Sequence, residues 1–406
     1  MDFEDTQGEA AFRRAVRSWL HDHAEPCHGG HPTMPDHDAR LARARRFQAE
    51  KAKQGYAAIT WPKVIGGYGG SEIEHLIYLE EEAQFDVDSH HYFAIGIHLC
   101  IGTIMKCGTD EQRQHFIPPA LRGDKIWCQL FSEPGCGSDL AAVSTRAVRD
   151  GDDWVISGQK VWTTGGHYSD YGLILTRTDP KVPKHQGLTM FLVDMKDPGI
   201  EVQPIKQMSG EAEFNQVFLD NVRIPDGFRV GPLNGGWKVA LTTLGLERAV
   251  AGTELSFVGW QQFLDIARTT IWHGRPALND GRMREKISEC WLSNFGMRLM
   301  AYRNQTALGR GAVPGPEQSM GKLILARQGQ QSAIAVMDML GVRGTMTHET
   351  IGGHWKTIER AWYWSAAYRI AGGTDEILRN ILAERVLGLP PEVRTDRDVP
   401  FKQLAG

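Results

Sequence analysis

The sequence predicts an α+β fold built from three successive domains, because the spacing of apolar residues changes twice along the chain. Up to about residue 123, apolar residues recur every three or four positions, as on one face of a helix. From 124 to 235 they form short runs bounded by turn signals, which is typical of strands. The helical spacing then returns. We therefore expect a helical domain over 1–123, a β domain over 124–235 and a helical domain over 236–406.

The composition is that of an ordinary globular enzyme and excludes several other classes. The 406 residues are 41% hydrophobic and carry a net charge of −4, with no basic tract that would bind nucleic acid. Apolar runs are too short to cross a bilayer. The acidic N-terminus lacks the apolar core of a secretory signal, so a cytoplasmic location is expected. The six cysteines form no CxxC pair and are expected to be reduced.

The first domain shows helical spacing and one clear helix start. Phe12, Val16, Trp19 and Leu20 recur at helical spacing, and Thr109-Asp-Glu-Gln112 is a capping box that opens a helix. Histidines and a cysteine also cluster here, and a metal site is one interpretation. The glycines and prolines between them favour a loop instead. The cluster comprises His21, His23, Cys27, His28, His31 and His37.

The later elements follow from the same patterns. Strands are predicted around 154–156, 173–175, 189–193 and 217–219, separated by turns such as Asp150-Gly151. Helices are predicted around 236–268, 281–309, 318–341, 355–370 and 374–387. The charged segment after Pro390 is expected to be a peripheral tail.

The loop 129–140 is dense in groups that could bind a ligand. Gly135 and Gly137 allow backbone N–H groups to turn toward one ligand, and Ser132 and Ser138 add hydroxyls. The segment is neither a dinucleotide fingerprint, since it lacks the third glycine, nor a P-loop. A plain turn between strands is the alternative interpretation.

A second segment, Gly158-Gln-Lys-Val-Trp-Thr-Thr-Gly-Gly166, places an aromatic ring beside hydroxyls. Strand alternation puts Trp162 and Thr164 on the same face. A buried core tryptophan is the usual interpretation. An indole beside a hydroxyl and glycines at a strand end is better suited to covering a planar ring and bonding its edge.

A third feature is an acid on an apolar helix face. The stripe is apolar apart from Glu247, and an acid placed there is desolvated, which raises its pKa toward the range of a general base. Arg248 faces elsewhere on the helix. A structural acid paired with a distant cation is equally consistent with the pattern. The stripe comprises Ala240, Leu244, Glu247, Ala251, Leu255 and Val258.

A fourth feature is the glycine pair Gly372-Gly373 before a new helix. Thr374 begins that helix, and its first turn carries Asp375 and Glu376. A helix N-terminus offers free N–H groups to a ligand oxygen. A plain junction between two helices is the alternative.

These four segments, in this order and spacing, resemble the acyl-CoA dehydrogenase family. They match its "EPGxGSD", "GxKxW(I/T)T" and "GGTxEI" motifs, and the likeness extends from Gly108-Thr-Asp-Glu-Gln112 over nearly the whole chain. The resemblance implies an N-terminal helical domain, a β-barrel-like middle domain and a C-terminal four-helix bundle. It also implies FAD held non-covalently between subunits, and an acyl-CoA substrate.

The resemblance assigns cofactor contacts in the middle domain. The backbone of Phe131 and Ser132 is expected to contact the flavin ring, and Ser138 the phosphate-bearing arm of FAD or CoA. Trp162 is expected to pack on the isoalloxazine, with Thr164 bonding near its reactive edge.

It assigns further contacts in the last domain. Thr374 and Glu376 are expected on the adenosine and pyrophosphate side of FAD. Gly341 and Gly344 resemble a loop that completes the cofactor site of a neighbouring subunit.

The resemblance also bears on the catalytic base. Many relatives carry a glutamate directly before the Gly-Thr pair, where this chain has Gly372. Glu247 lies where isovaleryl- and long-chain enzymes carry theirs, in a similar "LER" segment. We expect Glu247 to remove the α-proton, with Ser138, Arg248 and the Gly372 N–H contacting the substrate.

One segment departs from the family pattern. Thr270 and His273 stand where many relatives have an arginine and a phenylalanine near the neighbouring FAD. A homo-oligomer is expected, and a heteromer of unlike subunits remains open. An electron-transfer flavoprotein is the expected acceptor. The alternatives are an oxygen-using acyl-CoA oxidase, a non-catalytic subunit that supports the cofactor, and a DNA-associated member, which the missing basic tract disfavours.

Overall fold

The computed structural model describes residues 5–26, 37–250, 258–309, 312, 315–345 and 355–404. These fall into two compact units. The first contains the described residues up to Glu247 together with 392–404, and the second contains those between Arg248 and Pro391. No helix among the described residues is both long and apolar enough to span a bilayer.

The N-terminal part of the first unit is helical, as the sequence predicts. Phe12, Val16 and Leu20 are buried along one face of the first helix. Thr109 and Gln112 form the expected reciprocal capping box. Its helices are α1 (Gln7–His23), α2 (His37–Lys53), α3 (Glu72–Glu82), α4 (Ser89–Ala94), α5 (Gly102–Cys107) and α6 (Asp110–Leu121), with short strands β1 (Glu25–Pro26) and β2 (Phe85–Asp86) paired antiparallel.

A π-helical segment, Ile95–Ile101, joins α4 to α5. Such segments are rare and are often found at functional sites. Cys100 and Ile101 on this segment are fully buried, and the sulfur of Cys100 donates to the carbonyl oxygen of Cys128 at 3.4 Å. The segment therefore packs directly on the strand that leads into the loop at 131–137.

Residues 127–230 form one mixed β-sheet, so all four predicted strand segments lie in strands. The order of neighbours is β10-β7-β6-β4-β5-β9-β8, and β3 pairs parallel with β6. Gln112 joins α6 to this region by donating to the carbonyls of Gly227 and Arg229 at 2.8 and 2.9 Å. The strands are β3 (Trp127–Leu130), β4 (Arg146–Asp150), β5 (Asp153–Thr164), β6 (Tyr171–Arg177), β7 (Leu188–Asp194), β8 (Ile200–Pro204), β9 (Phe214–Pro225) and β10 (Arg229–Val230).

The second unit is a helical bundle whose core includes Phe263, Ala333, Val336 and Ile358. The helical pattern predicted over 236–268 corresponds to α7 and α8, and residues 251–257 between them lie outside the described part of the chain. The elements are α7 (Gly236–Val250), which begins in the first unit, then α8 (Trp260–Thr269), β11 (Ile271–Trp272), β12 (Arg275–Pro276), α9 (Gly281–Gly309), α10 (Ser319–Leu340), α11 (Trp355–Ala367) and α12 (Asp375–Arg385).

The C-terminal segment 392–404 packs with the first unit, although the sequence-based division placed it in the last domain. It ends in α13 (Phe401–Leu404). The Phe401 ring lies 3.9 Å from the Arg177 guanidinium, and Lys184 forms ion pairs with both Asp139 and Asp396. The segment is therefore anchored to the β-sheet and to the end of the 129–140 loop.

Candidate active site

The loop after β3 is a tight turn with open space around its glycines. Glu133 and Cys136 exchange two backbone hydrogen bonds of 3.0 Å across it. A Cβ added to Gly135 or Gly137 would meet no protein atom within 4 Å. Neither glycine has a positive φ, contrary to the conformational role expected from the sequence. What these glycines provide is room beside the backbone.

A buried ion pair fixes this loop to the sheet. Lys160 on β5 is fully buried, and its Nζ donates to Glu133 Oε1 at 2.8 Å and to the carbonyls of Phe131 and Leu175 at 3.1 and 2.7 Å. Burial alone would raise the pKa of Glu133, but Lys160 outweighs it and holds this pKa at about 2. Burial lowers the pKa of Lys160, and Glu133 opposes that shift.

Trp162 lies at a bulge near the end of β5. The pairing register between β5 and β9 shifts between Lys160 and Thr163, and Trp162 has a φ of 61°. A non-glycine residue in this left-handed region is strained by about 1–2 kcal/mol. Trp162 is 58% exposed, and its ring is perpendicular to that of Phe214, with 5.9 Å between the centroids.

Three polar residues of the two motifs have groups for which the described part of the chain shows no hydrogen-bond partner. Ser132 is half-buried, and its N–H donates to no acceptor among the described residues, while its carbonyl accepts from Val161 N at 2.9 Å. Thr164 is half-buried, two residues after Trp162 and beyond the bulge. Ser138 is exposed. The loop and the strand end together present donors, hydroxyls and an aromatic plane.

Helix α7 packs closely against α5 through a pair of hydroxyls and a leucine that lies on a glycine. The Thr243 hydroxyl lies 2.8 Å from that of Thr103, and both residues are fully buried. A Cβ on Gly102 would come within 3.0 Å of Leu246 Cδ1. Glu247 follows Leu246 directly and lies one turn after Thr243.

The predicted apolar stripe is described only in part. Ala240 is buried and Leu244 is half-buried against the core of the first unit. The side chains of Glu247 and Arg248 lie outside the described part of the chain, as do Ala251 and Leu255.

In the second unit, the turn before α12 is shaped by glycines. Gly372 and Gly373 have φ values of 64° and 92°. Thr374 caps α12 by accepting from Ile377 N at 3.2 Å. The buried Asp375 pairs with Arg369 at 2.6 Å, whereas the Glu376 side chain is 76% exposed.

The other glycines assigned from the resemblance lie at the end of α10. Gly341 has a φ of 57° and is exposed. Gly344 is buried, and a Cβ there would lie 2.8 Å from the Met337 carbonyl oxygen. Both positions therefore disfavour larger residues.

The segment that departs from the family pattern forms a β-hairpin. Thr270 is buried at the end of α8. His273 and Gly274 both have positive φ, 51° and 78°, in the turn between β11 and β12. This is the geometry of a type I′ turn.

The described members of the histidine cluster contact aromatic rings. His23 stacks on Trp19 at 4.6 Å, and the His37 ring lies 5.3 Å from Tyr168. Cys27, His28 and His31 lie outside the described residues. Within the described part of the chain, no group of three or more histidine, cysteine or acidic residues is arranged to hold a metal ion.

Sequence reasoning missed the Glu133–Lys160 pair. Glu133 lies in the 129–140 loop and Lys160 in the segment 158–166, and the available signal was a lysine at a position that strand alternation assigns to the buried face. Because buried lysines are almost always paired, that lysine pointed to a nearby acid.

Comparisons with known proteins identify the family. Three domain models match in order: the acyl-CoA dehydrogenase N-terminal domain over 6–124, the middle domain over 128–222 and the C-terminal domain over 234–387. The chain belongs to the acyl-CoA dehydrogenase family. It is therefore an oxidoreductase that acts on acyl-CoA, and its cofactor is FAD.

Individual relatives extend along nearly the full chain. "Acyl-CoA dehydrogenase IpdE1" of Mycobacterium tuberculosis is 35% identical over 391 residues, which cover 94% of this chain and 98% of that protein. The ChsE4-ChsE5 complex from Mycobacterium tuberculosis is similar in structure, with a TM-score of 0.80 at 28% identity, covering 97% of this chain and 100% of the other. The "Tcur3481-Tcur3483 steroid ACAD" has a TM-score of 0.78 at 27% identity, with the same coverage.

Proposed function

We propose that this protein dehydrogenates an acyl-CoA thioester between its α and β carbons to give a trans-2-enoyl-CoA, with Glu247 as the base that removes the α-proton. When bound, FAD supplies the acceptor for the β-hydride. The observation that carries the proposal is the set of open groups around Trp162. An exposed tryptophan ring, a Ser132 N–H with no acceptor among the described residues and the Thr164 hydroxyl fit a planar ring with polar edges.

The proposed cofactor contacts form two groups of residues. In the first, Phe131, Ser132, Ser138, Trp162 and Thr164 would hold the flavin ring and the phosphate-bearing arm of FAD or CoA. In the second, Thr374 and Glu376 would contact the adenosine and pyrophosphate side of FAD. Gly341 and Gly344 would complete the cofactor site of a neighbouring subunit.

The position of Glu247 on α7 supports its role as base. Thr243, one turn earlier, is buried against Thr103, and the adjacent Leu246 packs on Gly102. The sequence places Glu247 on an otherwise apolar stripe of this helix, and an acid at such a position is expected to be desolvated, which raises its proton affinity. Gly372 occupies the position of the base in many relatives, and a glycine has no side chain that can take a proton. Its N–H would polarise the thioester carbonyl. Arg248 and Ser138 would contact CoA.

Proton removal is tested separately from hydride transfer with a 3-thia-acyl-CoA, which has an acidic α-proton and no β-hydrogen. The wild-type protein should ionise this ligand and produce a long-wavelength absorption band with the oxidised flavin. E247Q should bind the ligand without producing the band. A band of wild-type intensity in E247Q would exclude Glu247 as the base.

The substrate is proposed to be bulky. The similarity to a protein described as a steroid acyl-CoA dehydrogenase supports an acyl group that carries fused rings. Anaerobic bleaching of the flavin with straight, branched and ring-bearing acyl-CoAs tests this class. Fastest bleaching by a short straight-chain thioester would contradict it.

We also propose an oligomer that passes electrons to an electron-transfer flavoprotein. On α9, Trp291, Leu292 and Phe295 are each more than 40% exposed, and the two aromatic rings stack at 5.2 Å. Such a face fits a subunit interface. One FAD per chain in the purified protein would favour a homo-oligomer over a pair of unlike subunits. Rapid turnover with oxygen as the sole electron acceptor would favour an oxidase over a dehydrogenase that uses an electron-transfer flavoprotein.

A further inference from the structure

The peptide between Phe131 and Ser132 has a buried positive charge at its carbonyl end and an N–H without a described protein acceptor at its other end. Lys160 Nζ donates to the Phe131 carbonyl oxygen at 3.1 Å. The N–H of the same peptide group belongs to Ser132, and in a trans peptide it points away from the carbonyl. That N–H donates to no described protein acceptor. The charge therefore lies directly behind an available donor.

The ammonium group cannot move away from this carbonyl. Lys160 is fully buried, and its remaining bonds go to Glu133 and to the Leu175 carbonyl on β6. Glu133 is in turn held by the Ser144 N–H and hydroxyl at 2.7 and 2.8 Å and by the Thr145 N–H at 2.9 Å, just before β4. This network ties the loop to β5, to β6 and to the residues that lead into β4.

A hydrogen bond accepted by a carbonyl polarises its peptide group and strengthens the N–H at the other end as a donor. The effect is larger when the donor is charged and water is excluded. Both conditions are met at Phe131. The Ser132 N–H is consequently a stronger donor than an ordinary loop amide.

We propose that Lys160 is a positioning residue that, paired with Glu133, fixes the Phe131–Ser132 peptide and strengthens its N–H toward the bound flavin. This inference rests on the proposed placement of the flavin beside Ser132. A flavin atom gains negative charge on reduction, so a stronger donor favours the reduced cofactor over the oxidised one. Lys160 therefore raises the reduction potential as well as the affinity for FAD.

The chain offers a matched control. Lys51 and Glu82 on α2 and α3 form another largely buried pair with the same 2.8 Å separation. The test compares K160M/E133Q with K51M/E82Q, since removing both charges avoids leaving one buried and unpaired. FAD affinity is measured by titrating the apoprotein, and the midpoint potential by stepwise chemical reduction without acyl-CoA.

In K160M/E133Q, FAD should bind about tenfold more weakly when oxidised, as for loss of one charged hydrogen bond. The affinity for reduced FAD should fall by about a further tenfold, which lowers the two-electron reduction potential of the bound cofactor by about 30 mV. K51M/E82Q should match the wild type in both measurements. If both variants lose thermal stability and neither changes affinity or potential, the proposal is wrong.

A variant that binds no FAD, while the control binds normally, supports the positioning role. In that case the midpoint potential is measured in K160Q, which keeps an uncharged donor near Phe131. A potential equal to that of the wild type would contradict the claim that Lys160 strengthens the Ser132 N–H as a donor. No readout involves the acyl-CoA. A failure of dehydrogenation is therefore distinguishable from a failure of this inference.

Discussion

Different forces hold two parts of the candidate site in place. One part is the loop wall, which comprises the loop 131–137 and the end of β5 around Trp162. The other is helix α7, which carries Glu247. The loop wall depends on a buried ion pair and on backbone hydrogen bonds to Glu133. Helix α7 depends on close apolar packing and one pair of hydroxyls. Charged networks fix the direction of backbone donors, whereas helix packing only selects the face that a side chain occupies. The two regions should therefore respond differently to pH, to strain and to substitution.

Acid should weaken the loop wall most. The pKa of Glu133 is held at about 2, below its ordinary value of 4.5, so its contribution to stability is complete above pH 4.5 and is lost as the pH falls toward 2. The depression corresponds to about 3 kcal/mol. Denaturant titrations between pH 6 and pH 2.5 should show this loss in the wild type. K160M/E133Q should lose less over the same range, and an unchanged pH slope would contradict the assignment.

Trp162 should show opposite effects on the free protein and on cofactor binding. W162N relieves the left-handed strain, because asparagine tolerates positive φ, and should stabilise the apoprotein by about 1 kcal/mol. It also removes the aromatic plane, so FAD should bind about tenfold more weakly or worse. Thermal unfolding and FAD titration measure the two effects.

Trp154 on the same strand is the matched contrast for W162N. It is buried, so W154A should destabilise the fold by about 3 kcal/mol or more. Destabilisation of the apoprotein by W162N would mean that Trp162 serves the core and not a ligand.

The smallest effect is expected at the glycine turn before α12. G372A places a side chain at a φ of 64° and should cost about 1 kcal/mol in the free energy of unfolding. G245A on α7 is the control, because the position is helical and a Cβ there meets nothing within 4 Å. That variant should stabilise by about 0.5 kcal/mol. Equal effects of the two variants would remove the conformational argument for Gly372.

The sequence was sufficient for the elements and the family but not for the detail of the site. Helical and strand periods predicted the order of elements, and the capping box at Thr109 was correct to the residue. The bulge at Trp162 was not predicted, because strand alternation assumes an unbroken ladder. The Glu133–Lys160 pair joins residues 27 positions apart, and the pattern of either strand alone does not show it.

The C-terminal segment shows a similar limit. Its charge predicted a peripheral tail, and most of its residues are exposed, but the pattern did not show that Asp396 pairs with Lys184 in the loop after β6 and that the Phe401 ring lies against Arg177 on β6. These contacts depend on which surface the chain reaches after α12, and local sequence does not encode that direction. In both cases the sequence patterns did not show contacts between residues that are far apart in the chain.

The most direct test of the central claim is the rate of flavin reduction by acyl-CoA in E247Q under anaerobic conditions, with FAD content measured in the same sample. Loss of a general base should lower the rate by about 10²–10⁴-fold while FAD remains bound at the wild-type ratio. E247D, which keeps a carboxylate, should retain part of the activity. Flavin reduction in E247Q within a few-fold of wild type would contradict the assignment of Glu247 as the base.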